Sequence, residues 1–327
     1  MRGSSLTLAA EAGAAVERTG PPDLVIVSGM IDLAAWLGFS RRFLGDPPVV
    51  LYLHENQLMY PLAPGQRADD LLPLINWLGM AAADEVWFNS AFQRDGLLGA
   101  LPALLERAPD EAHTPWLEEV ASASRVMPVG VDLSDVPVRD AAVCPEVPMV
   151  LWNQRWDHDK NPGAVMGALL RLAGEGVAFR VAVAGENTRI DPREMTEARV
   201  QLGDRVVQFG YLPRSEYVDL LGISDVVVSA AHHEFFGIAV VEAVAAGAVP
   251  VLPTRQSYPE LVPDRWHGAS LYPDEGLTSR LRDVLGDLSG WRGRVAGLDL
   301  AMRRFDWRRV VGDYDDRIDV LVAEACN

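Results

Sequence analysis

Cysteine is scarce in this chain of 327 residues: only Cys144 and Cys326 occur, and they lie far apart. A framework of structural disulfides is therefore not expected, and we take the cytoplasm as the default compartment. Long apolar runs are also missing, since none reaches the roughly 18 residues that a membrane span needs. Residues 1–10 lack a sustained apolar core and are soon followed by Glu11 and Glu17, so we reject a signal peptide.

Basic residues are in the minority, with 29 Lys and Arg against 46 Asp and Glu and a net charge of −17. Broad, non-specific binding to nucleic acid needs a basic surface and is therefore disfavoured, although a local basic patch is compatible with these numbers. The hydrophobic fraction of 49% and the charged fraction of 23% are typical of a soluble globular protein. The length suits two domains better than one.

Short apolar runs alternate with helical segments along the whole chain. Most of these runs are continuous rather than alternating, which is typical of parallel strands buried on both faces. The predicted strands are 24–28, 49–53, 86–89, 126–129, 149–152, 179–184, 206–210, 226–229 and 249–252. Amphipathic helices such as 162–172 and 216–221 lie between them. This order predicts an α/β fold with doubly wound sheets.

A linker is predicted around residues 139–148, where Pro145 and Pro148 separate two strand-like runs. We therefore expect an N-terminal Rossmann-like domain at residues 1–143 and a C-terminal one at residues 144–303. Two such domains facing each other would leave a cleft. Ligands bind at the carboxyl ends of parallel strands, so we expect the chemistry in that cleft.

The most informative segment is 229–243, which directly follows a predicted apolar strand. It contains two glutamates, Glu234 and Glu242, with seven residues between them. Gly237 stands where loop becomes helix, and a helix N-terminus offers N–H groups to a diphosphate. A solvated loop glutamate plus a helix-face glutamate is the alternative, because this spacing is common by chance. Glu242, however, lies in an apolar helix, where a carboxylate is costly unless it is paired or meets a polar ligand. We therefore favour a nucleotide-sugar pocket, lined also by Phe236 and Ile238.

Two cations, Arg155 and Lys160, follow the first strand of the second domain, and Pro162 is expected to open the next helix. Arginine can bind a diphosphate through two parallel hydrogen bonds and lysine as a point charge. A surface salt-bridge cluster with Asp157 and Asp159 is the alternative. These residues alone do not separate the two interpretations, and the glutamate pair downstream favours the diphosphate.

Four polar residues end a buried strand of the first domain: His54, Glu55, Asn56 and Gln57. We interpret them as a substrate-facing loop; an ordinary polar loop with a helix cap is the alternative. No second His or Cys stands at ligand spacing, so a metal is not expected. We also expect no cofactor, the nucleotide sugar being a co-substrate.

Two further strand ends carry polar residues. Asn89 and Ser90 end another first-domain strand, and Tyr211 follows one in the second domain. For each of these residues, a structural role in a turn or a helix cap is as compatible with the sequence as contact with a ligand.

The paired glutamates and the Arg155–Lys160 pair together resemble the motifs of retaining GT-B glycosyltransferases in the glycosyltransferase 4 group. Residues 126–132 resemble the segment that closes the first domain of that group. Residues 305–307 resemble the start of its C-terminal tail. The resemblance implies that a helix at 304–327 crosses back and completes the first domain.

A narrower resemblance, carried by 53–58, 155–162, 233–243 and 257–260, is to the tRNA-queuosine alpha-mannosyltransferase family and its bacterial relatives. It implies GDP-mannose as donor, queuosine in a tRNA anticodon as acceptor, and no metal. By this resemblance Glu234 would hold the donor sugar and Glu242 the ribose, and His54 would sit beside the reacting sugar. The implied donor-binding residues are Arg155, Lys160, Tyr211, Glu234, Phe236, Gly237, Ile238 and Glu242. The implied acceptor-side residues are Glu55, Asn56, Gln57, Asn89 and Ser90.

The opening of the chain departs from that family, whose first strand leads into a Gly-Gly-Ser-His-type loop. Here the first clear strand, 24–28, would match the family's fourth. We therefore expect a first domain shortened at its N-terminus, with an exposed sheet edge at 24–27.

Two other functions stay open at this point. A hexosyltransferase acting on a lipid or small metabolite would suit the acidic charge, since tRNA contact favours basic surface. A protein that binds a nucleotide sugar without transferring it is the non-enzymatic alternative.

Overall fold

The computed structural model describes residues 4–61, 69–107, 113–139, 145–186 and 193–326. The strands are β1 (Val25–Ser28), β2 (Val49–Leu53), β3 (Glu85–Phe88), β4 (Ser124–Val126), β5 (Met149–Trp152), β6 (Arg180–Ala184), β7 (Val206–Gly210), β8 (Val226–Val228), β9 (Val249–Pro253) and β10 (Leu271–Tyr272). The helices are α1 (Ser4–Thr19), α2 (Leu33–Ser40), α3 (Leu71–Ala81), α4 (Ala91–Leu105), α5 (Thr114–Ser122), α6 (Pro162–Gly174), α7 (Arg193–Leu202), α8 (Arg214–Ile223), α9 (Ile238–Ala245), α10 (Tyr258–Leu261), α11 (His267–Ser270), α12 (Leu277–Gly286), α13 (Leu288–Arg294), α14 (Leu298–Met302) and α15 (Trp307–Ala325). Within the described ranges, no helix combines the length and the apolar character needed to cross a membrane.

The chain divides into two compact units, the first made of Met1–Pro128 with Val311–Asn327 and the second of Val129–Val310. The described strands of the first unit form a parallel sheet in the order β1-β2-β3-β4. Strands β2 and β3 are buried along their whole length, which explains their continuous apolar sequences.

Strand β1 is the terminal strand of this sheet, and its Ile26 side chain is 45% exposed. The edge predicted at 24–27 is therefore found among the described strands. A groove of about 390 Å³ lies beside it, lined by residues of α1, β1 and α2.

The second unit contains a parallel sheet in the order β10-β9-β8-β5-β6-β7. The chain builds outward from β5 through β6 and β7, then continues at β8 on the other side of β5. The strand order therefore reverses between β5 and β8, which is where open α/β sheets bind their ligands.

The connector, residues 129–139, groups with the second unit, whereas the sequence placed the boundary at residue 143. Val131 pairs with the segment before α15: its N–H donates to Phe305 O at 2.8 Å, and its carbonyl accepts from Trp307 N at 2.9 Å. Leu133 and Val136 are buried in the core of this unit. These contacts explain why the chain joins the second unit directly after Pro128.

Candidate active site

The loops that follow β5 and β8 carry the principal candidate residues of the second unit. Because β5 and β8 are parallel neighbours, their carboxyl ends lie at the same edge of the sheet. The loop after β5 contains Arg155 and Lys160, and the loop after β8 contains Glu234. The reversal of strand order thus brings the predicted cations and the first glutamate to one crevice.

Lys160 ends a short 3₁₀ helix, His158–Lys160, and is buried. Its Nζ donates to the His233 carbonyl at 2.8 Å and lies 3.1 Å from Glu234 Oε2. Asp159 Oδ2 is 3.3 Å from the same ammonium. A buried lysine normally requires such partners, and these contacts fix the two loops against each other.

Arg155 differs from Lys160 in that its side chain is 62% exposed, and it pairs with Asp157 at 2.7 Å. The salt-bridge alternative predicted this pair, and the Asp159–Lys160 pair is present as well. An exposed guanidinium is nevertheless accessible to an anion, because water screens its pairing with Asp157.

Gly237 precedes the first residue of α9 and has a φ of 106°. In this left-handed region a Cβ is strained, and here it would also lie 3.3 Å from the Leu261 side chain. Next to it Phe236 is buried against Phe305, whereas Ile238 is 45% exposed. Glycine thus allows the loop to turn sharply into a helix whose first N–H groups lack intrahelical partners.

Glu242, on α9, has both carboxylate oxygens engaged. Oε1 accepts a hydrogen bond from Arg214, the first residue of α8, and Oε2 accepts one from Tyr217 at 3.0 Å. Tyr217 in turn accepts from Asn153 Nδ2 at 2.8 Å, at the end of β5. The apolar helix therefore carries a paired carboxylate, and both partners, Arg214 and Tyr217, were missed from the sequence, as was Asn153 behind them.

The same side of the sheet contains a neutral histidine. His233 is buried, and its desolvation together with the charge of Lys160 lowers its pKa from 6.5 to about 4. Its backbone N–H and that of His232 donate to the Asp159 carbonyl, at 3.2 and 2.8 Å. The imidazole thus adds no positive charge to the crevice near pH 7.

Behind these residues, three hydroxyl-bearing side chains hold the β8 loop. Ser229 Oγ lies 2.7 Å from the Tyr258 hydroxyl, and the Ser229 carbonyl accepts from the Tyr272 hydroxyl at 2.8 Å. Gln154 Nε2 donates to Tyr258 at 3.3 Å. Burial and the nearby Glu234 charge raise the pKa of Tyr258, so it stays a neutral hydroxyl that supports the loop.

Tyr211 follows β7, which lies two strands away from β5. Neighbouring strands are about 4.8 Å apart, so Tyr211 is separated from Lys160 and Glu234. Its side chain is 66% exposed.

In the first unit, the loop after β2 carries His54, whose ring centroid is 4.2 Å from that of Tyr52. Partial desolvation lowers the pKa of His54, so the ring is neutral at pH 7. The Gln57 amide donates to Glu55 Oε1 at 3.2 Å. These three polar side chains are exposed or half-buried and can meet a ligand.

The other three predicted acceptor-side residues are buried and hold the backbone. Asn56 Oδ1 accepts from Met59 N at 2.9 Å, and Asn89 Nδ2 donates to the His54 carbonyl at 2.9 Å. Ser90 caps α4 and accepts from Gln93 N at 3.1 Å, as the helix-cap alternative predicted. Their geometry serves to shape the loop that presents His54.

No group of three or more His, Cys, Asp or Glu side chains in the described part of the chain is arranged to hold a metal ion.

Two family models match the chain. The N-terminal domain of tRNA-queuosine alpha-mannosyltransferase matches residues 1–131, and the glycosyl transferases group 1 domain matches residues 143–287. The tRNA-queuosine alpha-mannosyltransferase of Drosophila melanogaster is 33% identical over 248 residues, which cover 73% of this chain and 66% of that protein. A GDP-mannose:cellobiosyl-diphosphopolyprenol alpha-mannosyltransferase of Xanthomonas oryzae is 25% identical over 71% of this chain and 61% of its own length. The matches thus span just under two thirds of the length of these two curated relatives.

Solved structures share the fold at low sequence identity. HepE (Alr3699) of Anabaena, solved with UDP and glucose, superposes with a TM-score of 0.71 at 16% identity, over 96% of this chain and 82% of that one. Sucrose-phosphate synthase of Thermosynechococcus elongatus gives a TM-score of 0.68 at 20% identity, over 96% and 77%. With a parallel sheet in each of its two α/β units and both family models matched, the chain belongs to the group 1 glycosyltransferases of GT-B fold and carries the N-terminal domain of the tRNA-queuosine alpha-mannosyltransferases.

Proposed function

We propose that this chain is a retaining glycosyltransferase that moves mannose from GDP-mannose onto queuosine in tRNA. The contact between Lys160 and Glu234 just before α9, the helix that also carries Glu242, supports the proposal, because it places a cation and a carboxylate beside a helix N-terminus. The Drosophila relative, named for its queuosine acceptor, supports the choice of acceptor. A tRNA acceptor would place the reaction in the cytoplasm.

In this proposal the donor lies across the start of α9, with its diphosphate near Arg155 and Lys160. Glu234 holds hydroxyls of the donor sugar, and Glu242 holds the ribose. As the bond between the anomeric carbon and the diphosphate breaks, negative charge grows on the diphosphate. The two cations and the helix N-terminus stabilise that charge, so the proposed mechanism requires neither a metal nor a cofactor.

The acceptor hydroxyl attacks the anomeric carbon on the face from which the diphosphate leaves and gives its proton to the departing diphosphate oxygen, so the stereochemistry is retained without an enzymic nucleophile. His54, neutral at pH 7, is proposed to lie beside the reacting sugar. Glu55 and Gln57 are proposed to meet the acceptor. Asn56 and Asn89 contribute by fixing the loop.

The test is transfer of labelled mannose from GDP-mannose to tRNA that contains queuosine, with tRNA lacking queuosine as the control acceptor. Digestion of the tRNA to nucleosides and mass spectrometry should show queuosine heavier by one hexose. Arg155→Ala should lower turnover by about 10²-fold, the typical loss for one group that stabilises transition-state charge. Arg193→Ala is the control, because Arg193 is exposed and pairs only with Glu197 in the described contacts. Equal turnover of the two variants would contradict the assignment of Arg155.

A lipid acceptor is the second candidate, because the net charge of −17 disfavours tRNA contact and the Xanthomonas relative is named for a polyprenol acceptor. The same donor assay with a polyprenol-diphosphate saccharide tests it. Transfer to the lipid and not to tRNA would replace the queuosine proposal. Calorimetric binding of GDP without transfer to either acceptor would indicate a nucleotide-sugar-binding protein.

A further inference from the structure

Arg214 joins two parts of the second unit through a single guanidinium. One terminal nitrogen donates to Glu242 Oε1. On the other side, Nε and Nη2 donate to the two carboxylate oxygens of Asp135, at 3.1 and 2.7 Å, and Nη2 also reaches the Asp132 carbonyl at 3.2 Å. The connector is thereby linked to the glutamate that is proposed to hold the donor ribose.

This bridge depends on the shape of arginine. A planar guanidinium offers five N–H donors in a fixed fork, so it can bind a carboxylate with two parallel bonds and still donate to a second one. The hydrogen bonds to Asp135 and Glu242 raise the pKa of Arg214, despite its partial desolvation. The hydrogen bonds from Arg214 likewise lower the pKa of Asp135.

The connector end of the bridge has a defined backbone. Asp132 Oδ1 accepts from Ser134 N at 3.0 Å and from Ser134 Oγ at 2.6 Å, which forms a local turn of the kind that aspartate favours. Asp135, which follows this turn, is therefore presented to Arg214 from an ordered segment.

The Glu242 end is constrained from two directions. Tyr217 engages the oxygen that Arg214 does not, and Asn153 holds Tyr217 while also donating to the Ala239 carbonyl at 2.8 Å. The Glu242 side chain is only 11% exposed, yet each ionised oxygen can accept a further hydrogen bond. Arg214 and Tyr217 thus fix the orientation of the carboxylate and leave it capacity for ribose hydroxyls.

We propose that Arg214 is the positioning residue for Glu242, and that through Asp135 it makes ribose recognition depend on the connector. This inference rests on the proposed function of Glu242. The alternative is a salt bridge that serves stability only. Since Arg214 is 43% exposed, such a bridge would contribute little to folding, and its loss would not change the choice between ribose and deoxyribose ligands.

The experiment measures the dissociation constants of GDP and 2′,3′-dideoxy-GDP by calorimetry. Wild-type protein should prefer GDP by about tenfold, the value of one hydrogen bond to a charged group. Arg214→Gln should bring the ratio of the two constants close to one. Arg214→Lys should give a ratio between those of wild type and Arg214→Gln, since lysine keeps the charge but lacks the planar fork of donors. Asp135→Asn should give an intermediate ratio.

Arg282→Gln is the matched control. Arg282 has the same 43% exposure and donates twice to Glu175, at 2.9 and 2.8 Å, on the surface of the same unit. It should keep the wild-type ratio. A wild-type ratio in Arg214→Gln, or an equal loss in Arg282→Gln, would overturn the inference.

Two further outcomes separate the inference from the proposed function. If the wild-type protein binds neither GDP nor UDP, the proposed function fails and the inference fails with it. If it binds GDP but the three variants at Arg214 and Asp135 all keep the wild-type ratio, only the inference fails. Should Arg214→Gln not fold, Arg214→Lys and Asp135→Asn decide the same question, because both keep a cation at position 214.

Discussion

The candidate site places a buried histidine beside a buried ammonium, and this contact has a consequence for acid stability. The pKa of His233 is about 4 in the folded chain, against an ordinary value of 6.5. Between these values the unfolded chain binds a proton that the folded chain does not. The contribution of the uncharged His233 ring to the free energy of unfolding is therefore fully present above pH 6.5 and is lost as the pH falls toward 4.

We expect His233→Gln to reduce the fall of the unfolding free energy between pH 6.5 and about 4. The difference between variant and wild type should reach at most about 3 kcal/mol at the acid end. Urea denaturation across this pH range measures it. His158→Gln is the control because His158 is exposed. Parallel pH profiles for wild type and His233→Gln would contradict this assignment.

Single residues of the site were only partly predictable from sequence. Lys160 and Glu234 could be found because each follows an apolar strand, and the fold brings them into contact. Arg214 was missed because it is one exposed arginine at a helix start, 28 residues from Glu242, and no pattern marks such a distant pair. Asn89 illustrates the opposite difficulty, since a side chain that holds a loop and one that binds a ligand are equally polar.

The elements themselves follow closely from hydrophobic pattern. Strands β2 and β5 have the predicted bounds, because both are buried along their whole length and such parallel strands read as uninterrupted apolar runs. The strand predicted at 126–129 was misplaced: β4 ends at Val126, and Pro128 lacks the N–H that a longer ladder would need. Strand β10, with two residues, is too short to leave a pattern.

At the start of α9, Gly237→Ala tests whether the left-handed turn is needed. We expect a loss of about 1–3 kcal/mol of unfolding free energy, the cost of holding a non-glycine residue in this region. GDP affinity should fall with it, because the helix N-terminus shifts. Chemical denaturation and calorimetry measure the two effects.

Gly167→Ala in α6 is the control for that substitution. Nothing lies within 4 Å of the added Cβ, and alanine in a helix interior should stabilise by about 0.5–1 kcal/mol. A Gly237→Ala variant as stable as Gly167→Ala would show that the turn does not require glycine.

For the whole molecule, the sequence resemblance predicted that a helix at 304–327 completes the first domain; in the structure Val311–Asn327 group with the first unit, and the residues before them group with the second. Arg317 there contacts the buried Glu85 of β3, with Nε 2.8 Å from Oε2. Burial alone would raise the pKa of Glu85, but hydrogen bonds from Arg317, Trp87 and Arg125 outweigh it and lower the pKa. The tail thus supplies the charge that the sheet of the first unit needs.

Arg317→Met should destabilise the first unit by about 3 kcal/mol, because it removes a main partner of a buried carboxylate while Arg125 remains. The loss should be largest above the ordinary glutamate pKa of 4.5 and should shrink as the pH falls below it, where protonated Glu85 needs no cation. Denaturation at several pH values measures this. Arg94→Met removes an exposed pair with Asp95 in the same unit and should change stability by less than about 1 kcal/mol. A similar effect of both substitutions would show that the tail contact is dispensable.

Lys160, whose side chain lies between the two loops of the site, is the single lysine in the whole chain. A lysine-specific endoproteinase therefore has one cleavage point, and the fold buries it against Glu234 and His233. A short pulse of such a protease would cut only molecules in which this crevice has opened, giving fragments 1–160 and 161–327. The rate of that single cut reports how often this crevice opens, without a label or an engineered residue.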